Sequence, residues 1–218
     1  MLVSIGIINF NNEKYLERAI RSCQNQYRSS QNLELIVVDD NSTDNSVDLM
    51  QQFEGSITIF RNSQNMGAGY SSQRSLLESS GKYFMRVDSD DYISQLTTAL
   101  FTSFLEENPM YDFVFGNLMK VDSLGRKIGK IDMSNQDNLI NHGAGIMFRR
   151  AKLLEIGGYN SELRHGEDID LMLRILRNRI KGMHFPVSLY RYYFHGSNKS
   201  QSMEHEKAKV DLRRKYEL

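Results

Sequence analysis

The chain of 218 residues has a single cysteine, Cys23. One thiol excludes an intramolecular disulfide framework and fits a reducing compartment. Cys23 sits at helical spacing from Ala19 and Ile20, so it reads as a packing residue. Charge of one sign is also missing, since 27 basic residues meet 27 acidic ones. No global field points to nucleic acid or an anionic membrane. No apolar run approaches the ~20 residues needed to span a bilayer. The opening residues, Met1 to Ile8, carry no basic leader and no small-residue cleavage site. These absences lead to the expectation of a cytoplasmic protein with no nucleic-acid partner and no membrane span.

What is present is ordinary for a globular chain: 40% hydrophobic and 25% charged residues, enough for one domain with a sizeable core. Residues 2 to 9 read as a first strand. Asn11 and Asn12 then offer caps for a helix with Tyr15, Leu16, Ala19, Ile20 and Cys23 on one face. A polar link, Gln24 to Asn32, leads to a buried strand at Leu33 to Val38. Val47, Met50 and Phe53 mark a second helix, and Ile57 to Phe60 a third strand. Gly67 and Gly69 open a helix that runs to about Ser79. Gly81 ends it, and Tyr83 to Val87 is the fourth strand. Leu96 to Glu106 is helical until Pro109 stops it. Buried strands alternating with amphipathic helices imply an α/β fold with a mostly parallel sheet covered by helices on both faces.

The second half changes character. Phe113 to Val121 and Lys127 to Ile131 flank Asp122-Ser123-Leu124-Gly125 as a hairpin. Asn135 to Asn141 reads as a polar loop, and Gly143 to Phe148 as a small-residue strand. A short helix at Ala151 to Ile156 closes at Gly157-Gly158. Gly166-Glu167-Asp168 starts another helix, Met183 to Phe194 is strand-like, and Gln201 to Leu218 is a mixed-charge helix.

The acids carry the chemistry. Asp39 and Asp40 end the second strand, and Asp88, Asp90 and Asp91 follow the fourth. Parallel strands place both clusters on one sheet edge, at the carboxyl ends where open α/β sheets hold ligands. Carboxylates this close repel one another unless positive charge sits among them. A divalent cation shared with substrate phosphates satisfies that need, because such ions take one or two carboxylates plus phosphate oxygens. Either cluster alone would equally suit a solvated turn capping the next helix.

Glycine is absent where two rival readings require it. A nicotinamide dehydrogenase needs a glycine-rich turn directly after the first strand. Phe10-Asn11-Asn12-Glu13 has none, and Gly67-Ala68-Gly69 comes too late. A sugar nucleotidyltransferase would need a glycine-rich basic loop at the same place.

Residues 3 to 94 resemble the catalytic domain of inverting family 2 (GT2) glycosyltransferases with the GT-A fold. The matching pieces are Val3 to Asn11, Ile36 to Asp44, Asn65-Met66-Gly67 and Val87 to Asp91, in order and at matching intervals. A looser likeness continues through Gly143 to Tyr159, Gly166-Glu167-Asp168 and Tyr192 to Ser200. The resemblance implies a Rossmann-like, mostly parallel sheet flanked by helices, with a smaller mixed sheet on the acceptor side. It divides the single domain into a nucleotide-sugar half (1–94), an acceptor half (95–200) and a tail (201–218).

The resemblance also implies roles. Asp40 would read the pyrimidine edge of a UDP-sugar, with Asp39 beside it; capping of the following turn is the simpler role for Asp39. Phe10 and Asn11 would border the base, although the Pro-Thr-Tyr of many relatives is replaced by Ile8-Asn9-Phe10. Gly67 and Arg74 would lie near the diphosphate, a helical arginine being equally at home in solvent. Asp88 would support ribose or metal, and Asp90 would ligate Mn2+ or Mg2+, with His195 completing the site or merely packing. Asp168 would be the general base, a position that also suits an ordinary capping acid. Glu167, His142 and His165 would face the acceptor, a glycan or lipid-linked oligosaccharide. The tail could lie peripherally on a membrane, pair with a second copy or be a solvated helix. A subunit that keeps nucleotide-sugar binding or a scaffolding role without turnover is the competing reading.

Overall fold

The computed structural model describes residues 3–27, 33–195, 198 and 202–216. Its parallel half is built from β1 (Val3–Asn9), β2 (Leu33–Asp39), β3 (Thr58–Arg61) and β4 (Tyr83–Asp88), in the spatial order β3-β2-β1-β4. β1 lies between β2 and β4 and is parallel to both. Its side chains are nearly all buried, as its uninterrupted apolar run requires when helices cover both faces. Helices α1 (Glu13–Gln24), α2 (Ser46–Gln51) and α3 (Ala68–Glu78) supply the crossovers.

The register fixes the site. Asn9 pairs with Asp39 across β1 and β2, and Ile8 pairs with Asp88 across β1 and β4. Both acid clusters therefore leave the sheet at one edge, on either side of the turn that follows β1.

The remaining strands continue the same sheet. β8 (Met147–Arg149) runs antiparallel to β4 and joins the halves, and β6 (Phe113–Val121) pairs with β8. The long β9 (Gly182–Tyr193) is parallel to β6, the edge hairpin strand β7 (Lys127–Ile131) is antiparallel to it, and β5 (Tyr92–Ile93) pairs with β9. The parallel and mixed parts thus form one nine-stranded sheet. Helices α4 (Thr97–Glu107), α5 (Gln136–Asn141), α6 (Arg150–Glu155), α7 (Glu167–Arg177) and α8 (Met203–Lys215) complete the chain.

Several sequence expectations need correction. The predicted polar loop at Asn135 to Asn141 is mostly helix α5. The Asn135 side chain accepts from the Asn138 backbone N–H, and Leu139 and Ile140 are buried. The predicted strand from Gly143 shrinks to β8, because Gly145 adopts a left-handed φ of 74° where any Cβ would strike the Tyr190 ring. Strand β5 was not foreseen; two residues give no period to read. Asn12 stands at the N-cap of α1 but makes no side-chain cap bond. The free N–H of Glu13 instead donates to Asp44 at 2.9 Å, and Glu13 accepts from the Asn45 N–H at 2.7 Å. This reciprocal cap ties the β1 turn to the β2 turn. Of the expected elements, Leu2, part of the polar link (28–32), and Gln201, Glu217 and Leu218 of the last helix lie outside the described residues.

Helix α8 is not a free solvated helix. Leu212 is buried against Gly166, the Tyr216 hydroxyl donates to Asp170 at 2.9 Å, and Arg213 pairs with Asp137 at 2.7 Å. These contacts hold it against α7 and α5.

Candidate active site

A cleft of about 320 Å³ opens at the carboxyl ends of the parallel strands. Ile8 lines it from β1, Phe10 and Asn12 from the turn after β1, Asp40 from the β2 turn, and Arg86, Asp88, Ser89, Asp90 and Asp91 from the end of β4. Arg164 to Asp168 also line it, with His142, His195 and His205.

Asp39 and Asp40 serve the architecture first. Asp39 is fully buried and accepts from Asn9 Nδ2 at 2.9 Å, Ser42 N–H at 3.0 Å and the Ser42 hydroxyl at 2.5 Å. It does not line the cleft and braces the turn below it. Asp40 borders the cleft, yet both its oxygens are occupied. Oδ1 accepts from Asn62 Nδ2 and the Met66 N–H, and Oδ2 from the Gly67 N–H, each at 2.8 Å. The carboxylate expected to read a pyrimidine edge thus pins the 62–67 loop. Asp40→Ala leaves buried donors unpaired and should cost about 3 kcal/mol. Urea unfolding checks this, and an unchanged midpoint would contradict the bracing role.

Three further residues expected at the nucleotide do not line the cleft. Arg74 donates to the Arg61 carbonyl at 2.9 Å and Asn62 Oδ1 at 2.7 Å, with its guanidinium over the Phe60 ring. It steadies Asn62 and through it Asp40, and does not line the cleft. Asn11, at a left-handed φ of 52°, accepts from the Thr43 N–H at 2.8 Å and joins the two turns. Gly67 spends its N–H on Asp40 at a φ of 94° and leaves Ala68 as the lining residue.

The acid loop after β4 is tightly mounted. Asp91 is buried and accepts from the Tyr193 N–H at 2.7 Å, tying the loop to the end of β9. His195 Nε2 lies 3.2 Å from Asp90 Oδ2. From α1, Arg18 donates to the Asp90 carbonyl at 2.8 Å and stacks over the Tyr92 ring at 4.6 Å. Burial pushes the Asp90 carboxyl above its usual range, and the charge of Asp88 adds to the shift. Asp91 is raised well above its usual range by burial and then by Asp90 and Asp88.

Among the described residues, no group of three or more His, Cys, Asp or Glu is placed to hold a metal by itself. The donor set nevertheless suits a Mg2+- or Mn2+-type ion. Asp90 oxygen and His195 nitrogen stand side by side in the cleft, and such an ion needs few protein ligands when phosphates supply the rest.

Also at the cleft, α7 begins at Glu167 after Gly166, which takes a left-handed φ of 77°. Asp168 lies in the first helical turn. Its Oδ1 is 2.7 Å from Arg86 Nη1, and its Oδ2 accepts from Nη2 at 3.0 Å. Arg86 also reaches Glu167 at 3.2 Å and Asp88 at 3.2 Å. Its own charge is reinforced by Asp168 first, then Asp88 and Glu167, against the cost of burial. Burial, followed by the neighbouring Asp168 charge, lifts Glu167 to about 7. Burial likewise lowers His142 to about 4, with Lys120 and His205 adding to it, so its imidazole is neutral at pH 7.

The residues from 4 to 161 match the family model described as glycosyl transferase family 2. The chain belongs to glycosyl transferase family 2. Among its relatives, the GalNAc(5)-diNAcBac-PP-undecaprenol beta-1,3-glucosyltransferase of Campylobacter jejuni is 30% identical over 205 residues, covering 88% of this chain and 65% of the relative. The poly(ribitol-phosphate) beta-glucosyltransferase of Bacillus spizizenii is 30% identical over 141 residues, 63% of this chain and 22% of that protein. The chain thus spans less than two thirds of the length of either. Among solved structures, S. aureus TarS 1-349 in complex with UDP-GlcNAc superposes with a TM-score of 0.84 at 21% identity, covering 99% of this chain and 65% of that one. The mannosyltransferase PcManGT from Pyrobaculum calidifontis, in complex with GDP-Man and Mn2+, gives 0.72 at 16% identity over 90% of this chain and 58% of its own. These likenesses establish a GT-A-like α/β fold.

For a family 2 chain, the structure adds cleft residues that the sequence reading did not single out. Arg86 is the central one, and its only signal was a lone charge inside an apolar strand. His205 and Arg164 also line the cleft. His205 arrives on α8, from a segment with few apolar positions. No helix among the described residues is long and apolar enough to cross a membrane.

Proposed function

We propose that this chain transfers a sugar from a nucleoside-diphosphate donor to an acceptor hydroxyl, with inversion, using Asp168 as general base. A UDP-sugar is the favoured donor. The observation that carries the reading is that Asp88, Asp90 and Asp168 line one cleft, with Arg86 in contact with both Asp88 and Asp168. The TarS complex with UDP-GlcNAc, on the same fold, supports the choice of nucleotide.

In this reading Phe10 offers a ring at the end of β1 for the base. Asp40 keeps the 62–67 loop in place as the wall of the nucleotide site. Asp88, whose side chain is 37% exposed, can accept ribose hydroxyls while Arg86 holds its other side. Asp90 and His195 would hold the divalent cation. Bound there with the diphosphate, Mn2+ or Mg2+ supplies Lewis-acid stabilisation of the negative charge that builds on the departing nucleotide.

The protein's own part in the displacement is a proton transfer. The acceptor oxygen attacks the anomeric carbon from the face opposite the nucleotide, and its proton passes to a carboxylate oxygen of Asp168. The carbon–oxygen bond to the diphosphate breaks as the new one forms, which inverts the anomeric centre. Asp168 is suited to this because it lines the cleft and Arg86 holds its carboxylate in place. Glu167, His142, His165 and His205 border the acceptor side, and neutral His142 can offer or receive a hydrogen bond there. The acceptor is a glycan or lipid-linked saccharide, as the name of the Campylobacter relative suggests for that protein.

Slow donor hydrolysis tests the stereochemistry without knowledge of the acceptor. With a panel of α-linked UDP-sugars and Mn2+, proton NMR should detect the β-anomer first, before mutarotation. Release of the α-anomer would contradict single displacement.

A further inference from the structure

We propose that Arg86 is a positioning residue, whose guanidinium fixes the Asp168 carboxylate in the orientation that receives the acceptor proton. The inference rests on the base reading above. Arg86 comes from the interior of β4, and its side chain is only 3% exposed. Arg86 Nη2 donates to Asp168 Oδ2 at 3.0 Å, and Nη1 lies 2.7 Å from Oδ1 as an ion-pair contact outside hydrogen-bond geometry. One directed bond together with a charge contact to the second oxygen restricts how the carboxylate can turn, which a lysine point charge does less well. Glycine at position 143 supports the same arrangement, since any side chain there would land on the Asp168 carboxyl. Asp168 is therefore held between a buried cation and a residue with no side chain.

An ordinary capping acid shows none of this. The N-cap residue of α7, Gly166, makes no side-chain cap bond, and Asp168 turns to a strand 82 positions away. The remaining contacts of Arg86 fix the guanidinium itself. Nε lies 3.2 Å from Asp88 Oδ1, Nη1 is 3.2 Å from Glu167 Oε1, and the Tyr159 ring centre is 5.6 Å from its carbon. The same cation thus ties the donor-side acid to the acceptor-side acid, so the distance between the two halves of the reaction is set by one side chain.

A purely structural role would place Arg86 in the same contacts, and a mutant cycle separates the two. The variants are Arg86→Gln, Arg86→Lys, Asp168→Asn and Arg86→Gln with Asp168→Asn, each measured for kcat and donor affinity. Arg86→Gln should lower kcat about 10²-fold, because a misplaced reacting group costs about that much. Donor affinity should stay within about fivefold, and Arg86→Lys should recover part of the rate. In the Asp168→Asn background, Arg86→Gln should cost nothing more, because the residue it acts through is already disabled. A near-parental kcat for Arg86→Gln, or losses that multiply in the double variant, would overturn the proposal while leaving Asp168 as base. Normal turnover by Asp168→Asn would remove both readings. Should Arg86→Gln fail to fold because three acids lose their counter-ion, Arg86→Gln with Glu167→Gln keeps the charge balance. The same cycle is then run on that pair.

Discussion

Asp168→Asn is expected to lower the rate of sugar transfer by about 10³-fold and to leave donor affinity within about twofold of the parent. Asparagine keeps the shape of the side chain and can still accept from Arg86, but it cannot take a proton from an attacking hydroxyl. The proposed nucleotide contacts, Phe10, Asp88 and Asp90, are other residues of the cleft and are left in place by the substitution. Loss confined to kcat is the signature of a group used in the transition state and not in binding. Single-turnover transfer, with donor binding followed separately, makes this visible. Near-parental turnover would return Asp168 to the role of helix acid. A parallel loss of donor affinity would mean that the substitution had disturbed the Arg86 cluster.

Asp90→Ala is expected to have the opposite pattern. Nucleotide affinity in Mn2+ should fall by about 10²-fold, to the weak level seen with a chelator present. Asp90 is the acid raised by burial and by Asp88, and His195 is beside it. Removing its carboxylate takes away the site's clearest demand for a cation. Fold stability should hold or improve, because a partly buried acid crowded by like charge is removed. Unchanged Mn2+-dependent affinity would place the ion elsewhere. Together the two substitutions separate the donor-and-cation residues of the cleft from the base.

Much of this architecture was legible in the sequence because parallel sheets convert a linear pattern into a place. Apolar runs that stop at Asp39-Asp40 and at Asp88 to Asp91 must stop on the same edge, once the strands are parallel neighbours of β1. The register between Ile8 and Asp88 realises that rule. The resemblance gave Asp40 the cleft-facing place and Asp39 the capping alternative, but what the two acids bond to was not legible, because their partners, Asn9, Ser42, Asn62, Met66 and Gly67, come from three separate parts of the chain. The answer to like-charge repulsion was also only half visible. Periodicity marks β4 as buried, and a buried arginine inside it must find carboxylates, yet Glu167 and Asp168 lie about eighty positions away in sequence. The same limit applies to α8, whose docking depends on Leu212, Arg213 and Tyr216 meeting partners on α5 and α7. Its apolar face is too sparse for periodicity to reveal.

The most direct measurement is calorimetric titration of the chain with UDP, in Mn2+ and again with a chelator. The account predicts binding in Mn2+ that weakens by at least about tenfold when the ion is removed. Equal affinity in both conditions, or no UDP binding in either, would contradict a cation-assisted UDP-sugar site at Asp88 and Asp90.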